Sequence, residues 1–171
     1  MKMSVFVGTS LDGFIARLNH DLDFLPPGGG EPHGYDEFIA TIDVILIGRN
    51  TYEKVLTFDE WPYPGKRVAV LSSQPLSTRS GISVEHMAGK PAEVAAKLAA
   101  SGAQHVYVDG GITIQRFLQA GLIQRIVITR VPVLIGSGIP LFGPLQRDMR
   151  LRHINTRAYP SGLVTSEYEV L

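Results

Sequence analysis

The chain contains no cysteine, which excludes disulfide stapling, thiolate catalysis and cysteine-based zinc or iron–sulfur sites. It has no surplus of charge either. Lys+Arg and Asp+Glu both number 16, so no global field recruits nucleic acid or an anionic membrane. Apolar runs are short and interrupted, and none is expected to span a bilayer. Nothing after Met1-Lys2-Met3 reads as a secretory signal, so a cytoplasmic location is expected. Internal repeats and low-complexity tracts are lacking. The five histidines, His20, His33, His86, His105 and His153, show no ligand spacing, and no metal site is expected. Any anion bound here must be captured by local geometry.

What is present is an ordinary globular balance, 44% hydrophobic and 19% charged over 171 residues, sufficient for a single domain over residues 1–171. Met3 to Gly8 reads as a buried strand, followed by a long loop from about Thr9 to Pro32. Tyr35 to Ile42 carries apolar side chains at helical spacing. Val44 to Ile47 is a continuous apolar run, as in a strand covered on both faces. Asn50 or Thr51 is placed to cap a helix reaching about Leu56. Strands are expected at Val68–Leu71, Ile82–Glu85, Val106–Val108 and Arg125–Leu134, with helices at Pro91–Ser101 and Ile112–Ala120. Met149–Ala158 and Leu163–Leu171 read as an antiparallel hairpin. Strands alternating with helices predict an α/β fold with a mixed, mainly parallel central sheet flanked by helices.

Two strand-to-helix joints have the chemistry of phosphate cradles. In the first, a buried strand reaches Gly48, and a helix begins at once through Arg49, Asn50 and Thr51. The first N–H groups of a helix lack intrahelical partners, and its dipole favours an anion there. Arg49 adds a planar fork suited to a phosphate monoester. The competing reading is a plain strand–turn–helix joint with a surface arginine. The second, Asp109-Gly110-Gly111 followed by Ile112 and Thr113, repeats the arrangement, and a pyrophosphate fits against such N–H groups. A tight turn needing glycine for its own dihedrals is the alternative. Ser72 and Ser73 follow the Val68–Leu71 strand at the carboxyl edge, where open α/β sheets bind ligands. With Arg49 they form a candidate pocket for the 2′-phosphate that distinguishes NADP from NAD, although a serine pair before proline is also common turn chemistry.

These pieces, in this order, resemble the dihydrofolate reductase fold. The likeness lies in Ile47-Gly48-Arg49-Asn50-Thr51-Tyr52-Glu53, in Pro64-Gly65-Lys66-Arg67 leading to Leu71-Ser72-Ser73-Gln74-Pro75, and in Gly110-Gly111 before Phe117-Leu118. Ser10-Leu11-Asp12-Gly13-Phe14-Ile15-Ala16 and Val131-Pro132-Val133-Leu134-Ile135-Gly136-Ser137-Gly138-Ile139-Pro140-Leu141-Phe142 resemble the related RibD C-terminal reductase of riboflavin biosynthesis. The resemblance covers nearly the whole chain. It implies NADPH held by Gly48, Arg49, Asn50 and Thr51, by Ser72 and Ser73 at the 2′-phosphate, and by Gly110, Gly111, Ile112 and Thr113. It places Thr9 and Ile15 near the nicotinamide. The activity implied is reduction of a C=N bond in a pyrimidine- or pterin-like substrate, of the 5-amino-6-(5-phosphoribosylamino)uracil reductase type.

Such a reaction needs a polar group near the acceptor. Asp12 is the first candidate, with a tight Asp12-Gly13 turn as the alternative. Asp36 and Glu37 follow, with helix capping as theirs. Against folate reduction proper, alignment on Phe38 sets Gly34 opposite the acid of dihydrofolate reductase, and Phe24-Leu25-Pro26 replaces its loop tryptophan. Dihydrofolate or pteridine reduction, and non-catalytic NADPH binding, are the competing functions. Arg147, Arg150, Arg152 and Arg157 read as a solvated hairpin face. The hairpin and Val131–Phe142 are candidates for pairing in a homodimer.

Overall fold

The computed structural model describes residues 1–77 and 79–171. Its core is an eight-stranded sheet built from β1 (Lys2–Ser10), β3 (Val44–Gly48), β4 (Arg67–Leu71), β5 (Glu85–Met87), β6 (His105–Asp109), β7 (Arg125–Val131), β9 (Leu151–Ala158) and β10 (Val164–Val170). The spatial order is β5-β4-β3-β6-β1-β7-β10-β9. From β5 to β7 all pairings are parallel; β10 runs antiparallel to both β7 and β9. A separate two-stranded ribbon joins β2 (Phe14–Ala16) to β8 (Ile139–Pro140). Among the described residues no helix is long and apolar enough to cross a membrane.

Val44–Ile47 of β3, Val68–Leu71 of β4 and Val106–Val108 of β6 are unbroken apolar runs because both sheet faces are covered. Helices α3 (Pro91–Ala100) and α4 (Gly111–Gln119) pack on one face with Met3, Val5, Leu46, Val106 and Ile126. Helices α1 (Tyr35–Ala40) and α2 (Arg49–Val55) cover the other, where Phe38, Tyr52 and Val55 meet Phe6, Ile45, Val68 and Val127. This two-sided burial holds the carboxyl ends of β3, β4 and β6 rigidly in one row.

Several expected boundaries move. The supposed loop from Thr9 begins later, because β1 continues to Ser10 alongside β7 through Ser10↔Val131. Gly13, at φ 88°, then turns the chain into β2. Pro132 ends β7 earlier than expected, since it has no N–H to offer the ladder. The strand expected at Ile82–Glu85 lies at Glu85–Met87, paired through Ala69↔Glu85. The Ile82 N–H is spent in a turn on Arg79 O. Alternation of side chains did not reveal which residues had a neighbouring strand to bond.

Candidate cofactor and acceptor site

The strand order puts the two proposed cradles next to each other. β3 and β6 are parallel neighbours in the register Ile47↔Asp109, so Gly48 and Gly110 leave the sheet side by side. Their turns interlock. A Cβ at Gly48 would stand 2.6 Å from Thr113 Oγ1, and one at Gly110 would collide with Thr51 Oγ1. Each turn is thus closed by the threonine of the other helix. Gly110 also holds φ 95°, which side chains other than hydrogen rarely tolerate. Neither helix start has a side-chain cap: Gly48 and Gly110 themselves are the N-cap residues. The expected capping of α2 by Asn50 or Thr51 is therefore corrected. Both residues lie inside the helix, leaving its first N–H groups without a side-chain acceptor.

A cavity of about 320 Å³ runs along this edge. It is lined by Gly48–Thr51, Leu71–Gln74, Ala88, Gly89, Gly110–Thr113 and Arg116, with His20 and Ile139 at one end. Arg49 is not buried: its side chain retains 44% exposure, and its Nε–H donates to Glu53 Oε1 one turn along α2 at 2.7 Å. Ser73 is exposed. Ser72 is buried, and its hydroxyl closes a local turn, donating to Gln74 O at 2.7 Å while accepting from Gln74 N–H at 3.0 Å. The turn role anticipated for the serine pair belongs to Ser72.

A second cavity of about 250 Å³ adjoins the first and shares Asn50, Thr51, Gly110, Gly111, His20 and Ile139 with it. Its remaining walls come from Ile15 and Ala16 of β2, from Leu22, from Tyr35 at the start of α1, from Lys54, Val55 and Phe58, from Pro62 and Tyr63, and from Tyr107 and Asp109 of β6. Asp109 Oδ1 accepts the Gly110 N–H at 2.7 Å. Enclosure by protein pushes the Asp109 carboxyl above the ordinary carboxylate range, partly offset by that N–H. The same enclosure raises Tyr63 and Tyr107 well above an ordinary phenol, and Tyr35 to about 12. Tyr107 is fixed from its far end, donating to Phe6 O at 2.7 Å. The cavity thus holds one protonatable carboxyl among neutral phenols.

Of the residues proposed from sequence, Gly48, Arg49, Asn50, Thr51, Ser72, Ser73, Gly110, Gly111, Ile112 and Thr113 all line the first cavity, and Ile15 lines the second. Thr9 lies outside both linings, buried in β1 opposite Arg130 of β7. Asp12 is also outside. Its carboxylate accepts the backbone N–H groups of Gly136 at 2.8 Å and Ile135 at 3.3 Å, binding one loop to another. Asp36 and Glu37 stand exposed in the first turn of α1 and contribute to neither lining, although Tyr35 beside them does. Sequence reasoning used Asp109 only as part of a turn and overlooked its side chain. The available signal was an acid closing a buried strand immediately before two glycines.

Comparison with known proteins places this architecture. Residues 2–165 match the family model of the RibD C-terminal domain. The chain is 34% identical over 166 residues to the uncharacterized protein YwjB of Bacillus subtilis (strain 168), covering 92% of each. It is 37% identical to a putative riboflavin biosynthesis protein from Shewanella sp. PV-4, whose crystal structure superposes with a TM-score of 0.91 over 100% of this chain and 99% of that one. A more distant neighbour is a diaminohydroxyphosphoribosylaminopyrimidine deaminase/5-amino-6-(5-phosphoribosylamino)uracil reductase from Thermotoga maritima. That protein shares the fold at a TM-score of 0.75 and 13% identity, with 99% of this chain matching 56% of it. The match over residues 2–165 assigns this chain to the RibD C-terminal domain family, and its doubly covered parallel sheet with a terminal antiparallel hairpin is that family's dihydrofolate reductase-like fold.

Proposed function

We propose that the protein is an NADPH-dependent reductase acting on a C=N bond of a pyrimidine- or pterin-like heterocycle. One observation carries the reading: adjacent strands β3 and β6 deliver two interlocked, uncapped glycine turns into a cavity that opens directly onto a second, acid-bearing one. The residues fit a dinucleotide. A Cβ at Gly48 or Gly110 would disrupt the threonine-closed turns, and the free N–H groups of the helix starts suit a diphosphate. Arg49 and Ser73, at the outer end of the same cavity, suit a phosphate monoester.

When bound, NADPH supplies a hydride, so that the acceptor C=N becomes CH–NH and the nicotinamide is oxidised. The chain's own task is to hold the ring, exclude water and supply the proton that nitrogen needs. Asp109 is the group built for that last step. Its enclosure keeps a carboxylic proton available at higher pH than an exposed aspartate would. The packed walls of Ile15, Val55 and Phe58 keep the cavity largely apolar. Exposure of Asp36 and Glu37 leaves α1 without an acid for a pterin ring in this cavity, which weighs against dihydrofolate as the acceptor.

The test is a titration of the protein with NADPH and separately with NADH, followed by cofactor fluorescence. NADPH is expected to bind at least about tenfold more tightly, from charge-assisted contacts to its extra phosphate. No binding, or equal affinity for the two, defeats the reading.

A further inference from the structure

The second cavity also carries information about what it excludes, and the inference drawn here rests on the reading of that cavity as the acceptor site. Its volume of about 250 Å³ lies below the roughly 300–1,000 Å³ of sites that hold drug-sized ligands, so the part of the acceptor it encloses is compact. Its charges are sparse. Lys54 is the sole lysine or arginine among the described lining residues, and its ammonium is already engaged, donating to Asp21 Oδ1 at 2.6 Å. Asp109 lies in the same wall, and His20 stands at the junction with the cofactor cavity.

A phosphate monoester would be poorly served here. It carries between one and two negative charges near neutrality and offers only acceptors, so it needs unengaged cations or converging N–H donors to replace its water. This wall gives it an ammonium already paired with Asp21 and a carboxyl group. The free N–H groups of α2 and α4 lie in the portion already assigned to the dinucleotide. A flat nitrogen heterocycle meets the opposite situation: apolar surfaces from Ile15, Val55 and Phe58 for its faces, phenols at its rim, and Asp109 for a ring N–H or amino group.

We propose that the acceptor reduced in this cavity is a compact, unphosphorylated nitrogen heterocycle, and that phosphate esters of such rings are rejected because the lining offers no unengaged cation. The substrate class therefore differs from the phosphoribosyl compounds that define the riboflavin-pathway reaction.

The experiment uses the full chain saturated with NADPH and two matched pairs, 6-hydroxymethylpterin with its phosphate and cytidine with cytidine 5′-monophosphate. Affinities are measured by calorimetry. The unphosphorylated member of at least one pair is expected to bind, with its phosphate ester weaker by about tenfold or more, since the ester gives up water and gains no free cation in the lining. Asp21→Asn, which releases Lys54, is expected to shrink that discrimination to about threefold or less. A phosphate ester that binds as well as or better than its parent overturns the inference, as does binding of neither pair to NADPH-loaded protein. Unchanged discrimination in Asp21→Asn overturns the assigned cause. Failure of the wild-type protein to bind NADPH, seen before any heterocycle is added, removes the reading on which the inference stands.

Discussion

The two adjoining cavities are made in different ways. The first is built from backbone: two strand ends, two glycine turns and two helix starts, all fixed by a sheet covered on both faces. The second is built from side chains that arrive from β2, α1, α2, the loop at Pro62 and Tyr63, and β6. A backbone-built site admits few substitutions but is insensitive to most side chains. A side-chain-built site can change its ligand by exchanging single residues while the sheet stays as it is. Within one fold, the dinucleotide half is thus expected to be rigid and the acceptor half adaptable.

The largest effect should come from damaging the backbone-built half. In Gly110→Ala the new methyl meets Thr51, and the residue is forced to keep φ 95°. Left-handed strain alone costs about 1–3 kcal/mol, and relief requires the two turns to separate. The expected outcome is a lower urea midpoint together with loss of at least about 100-fold in NADPH affinity, read by titration. A folded variant with unchanged affinity would show that the interlock is not what holds the cofactor.

Asp109→Asn strikes the other half. Loss of a general acid lowers turnover by roughly 100-fold or more, while NADPH affinity should stay within about twofold. The raised carboxyl gives a sign to the pH profile. Wild-type turnover is expected to be highest where Asp109 is protonated and to fall as pH rises through its elevated pKa; the variant should lose that limb. Stability follows pH in the same direction, but the substitution acts on it with the opposite sign. A carboxyl whose folded pKa is raised contributes stability below its unfolded pKa and loses it as pH climbs through the folded value, so Asp109→Asn should be the more stable protein at neutral pH.

The same contrast explains what the amino-acid sequence made legible. Glycine after a buried strand, followed by a helix start, is a local pattern, and it located eight of the lining residues of the first cavity, Gly48 and Gly110 among them; Ser72 and Ser73 came from the carboxyl end of a third strand. Their adjacency required knowing that β3 and β6 are neighbours, a fact of sheet order that no local pattern contains. The second cavity left almost no trace. Tyr35, Tyr63 and Tyr107 are far apart along the chain, and each alone reads as core packing. Asp12 drew notice because it lies in a motif, yet the motif serves a loop contact. Asp36 and Glu37 drew notice as acids at a helix start, where the dipole stabilises them without any ligand.

Recognition of the outer phosphate offers a smaller and more graded test. Arg49→Ala should weaken NADPH by about tenfold and leave NADH nearly unchanged. Glu53→Gln should act in reverse. It frees the guanidinium from its i,i+4 partner, an exposed pair worth about 0.3–0.5 kcal/mol, so NADPH binding should tighten by about twofold. Equal losses for both cofactors in Arg49→Ala would mean that Arg49 contacts something common to the two.

The smallest effect is expected at Asp12, where the two halves are tied together. Its carboxylate holds the Ile135 and Gly136 N–H groups, Leu11 N–H bonds Val133 O at 2.8 Å, and Leu141 N–H bonds Gly13 O at 3.0 Å. This clasp presses β2 against β8 and so sets Ile15 and Ile139 on the cavity walls. Asp12→Ala should speed hydrogen exchange at the Gly136 amide and raise the KM for the acceptor modestly. NADPH affinity should barely change, because the cradles hang on the sheet and not on the clasp. The Ser10 hydroxyl, with the Gly136 and Ile135 N–H groups, holds the Asp12 carboxyl below its ordinary value. The clasp is therefore intact above the usual aspartate pKa of about 4 and opens as pH falls through the lowered one. An exchange rate at Gly136 that ignores both acid and the substitution would show that the ribbon is held by its backbone bonds alone, and the division between a rigid cofactor half and an adjustable acceptor half would need another hinge.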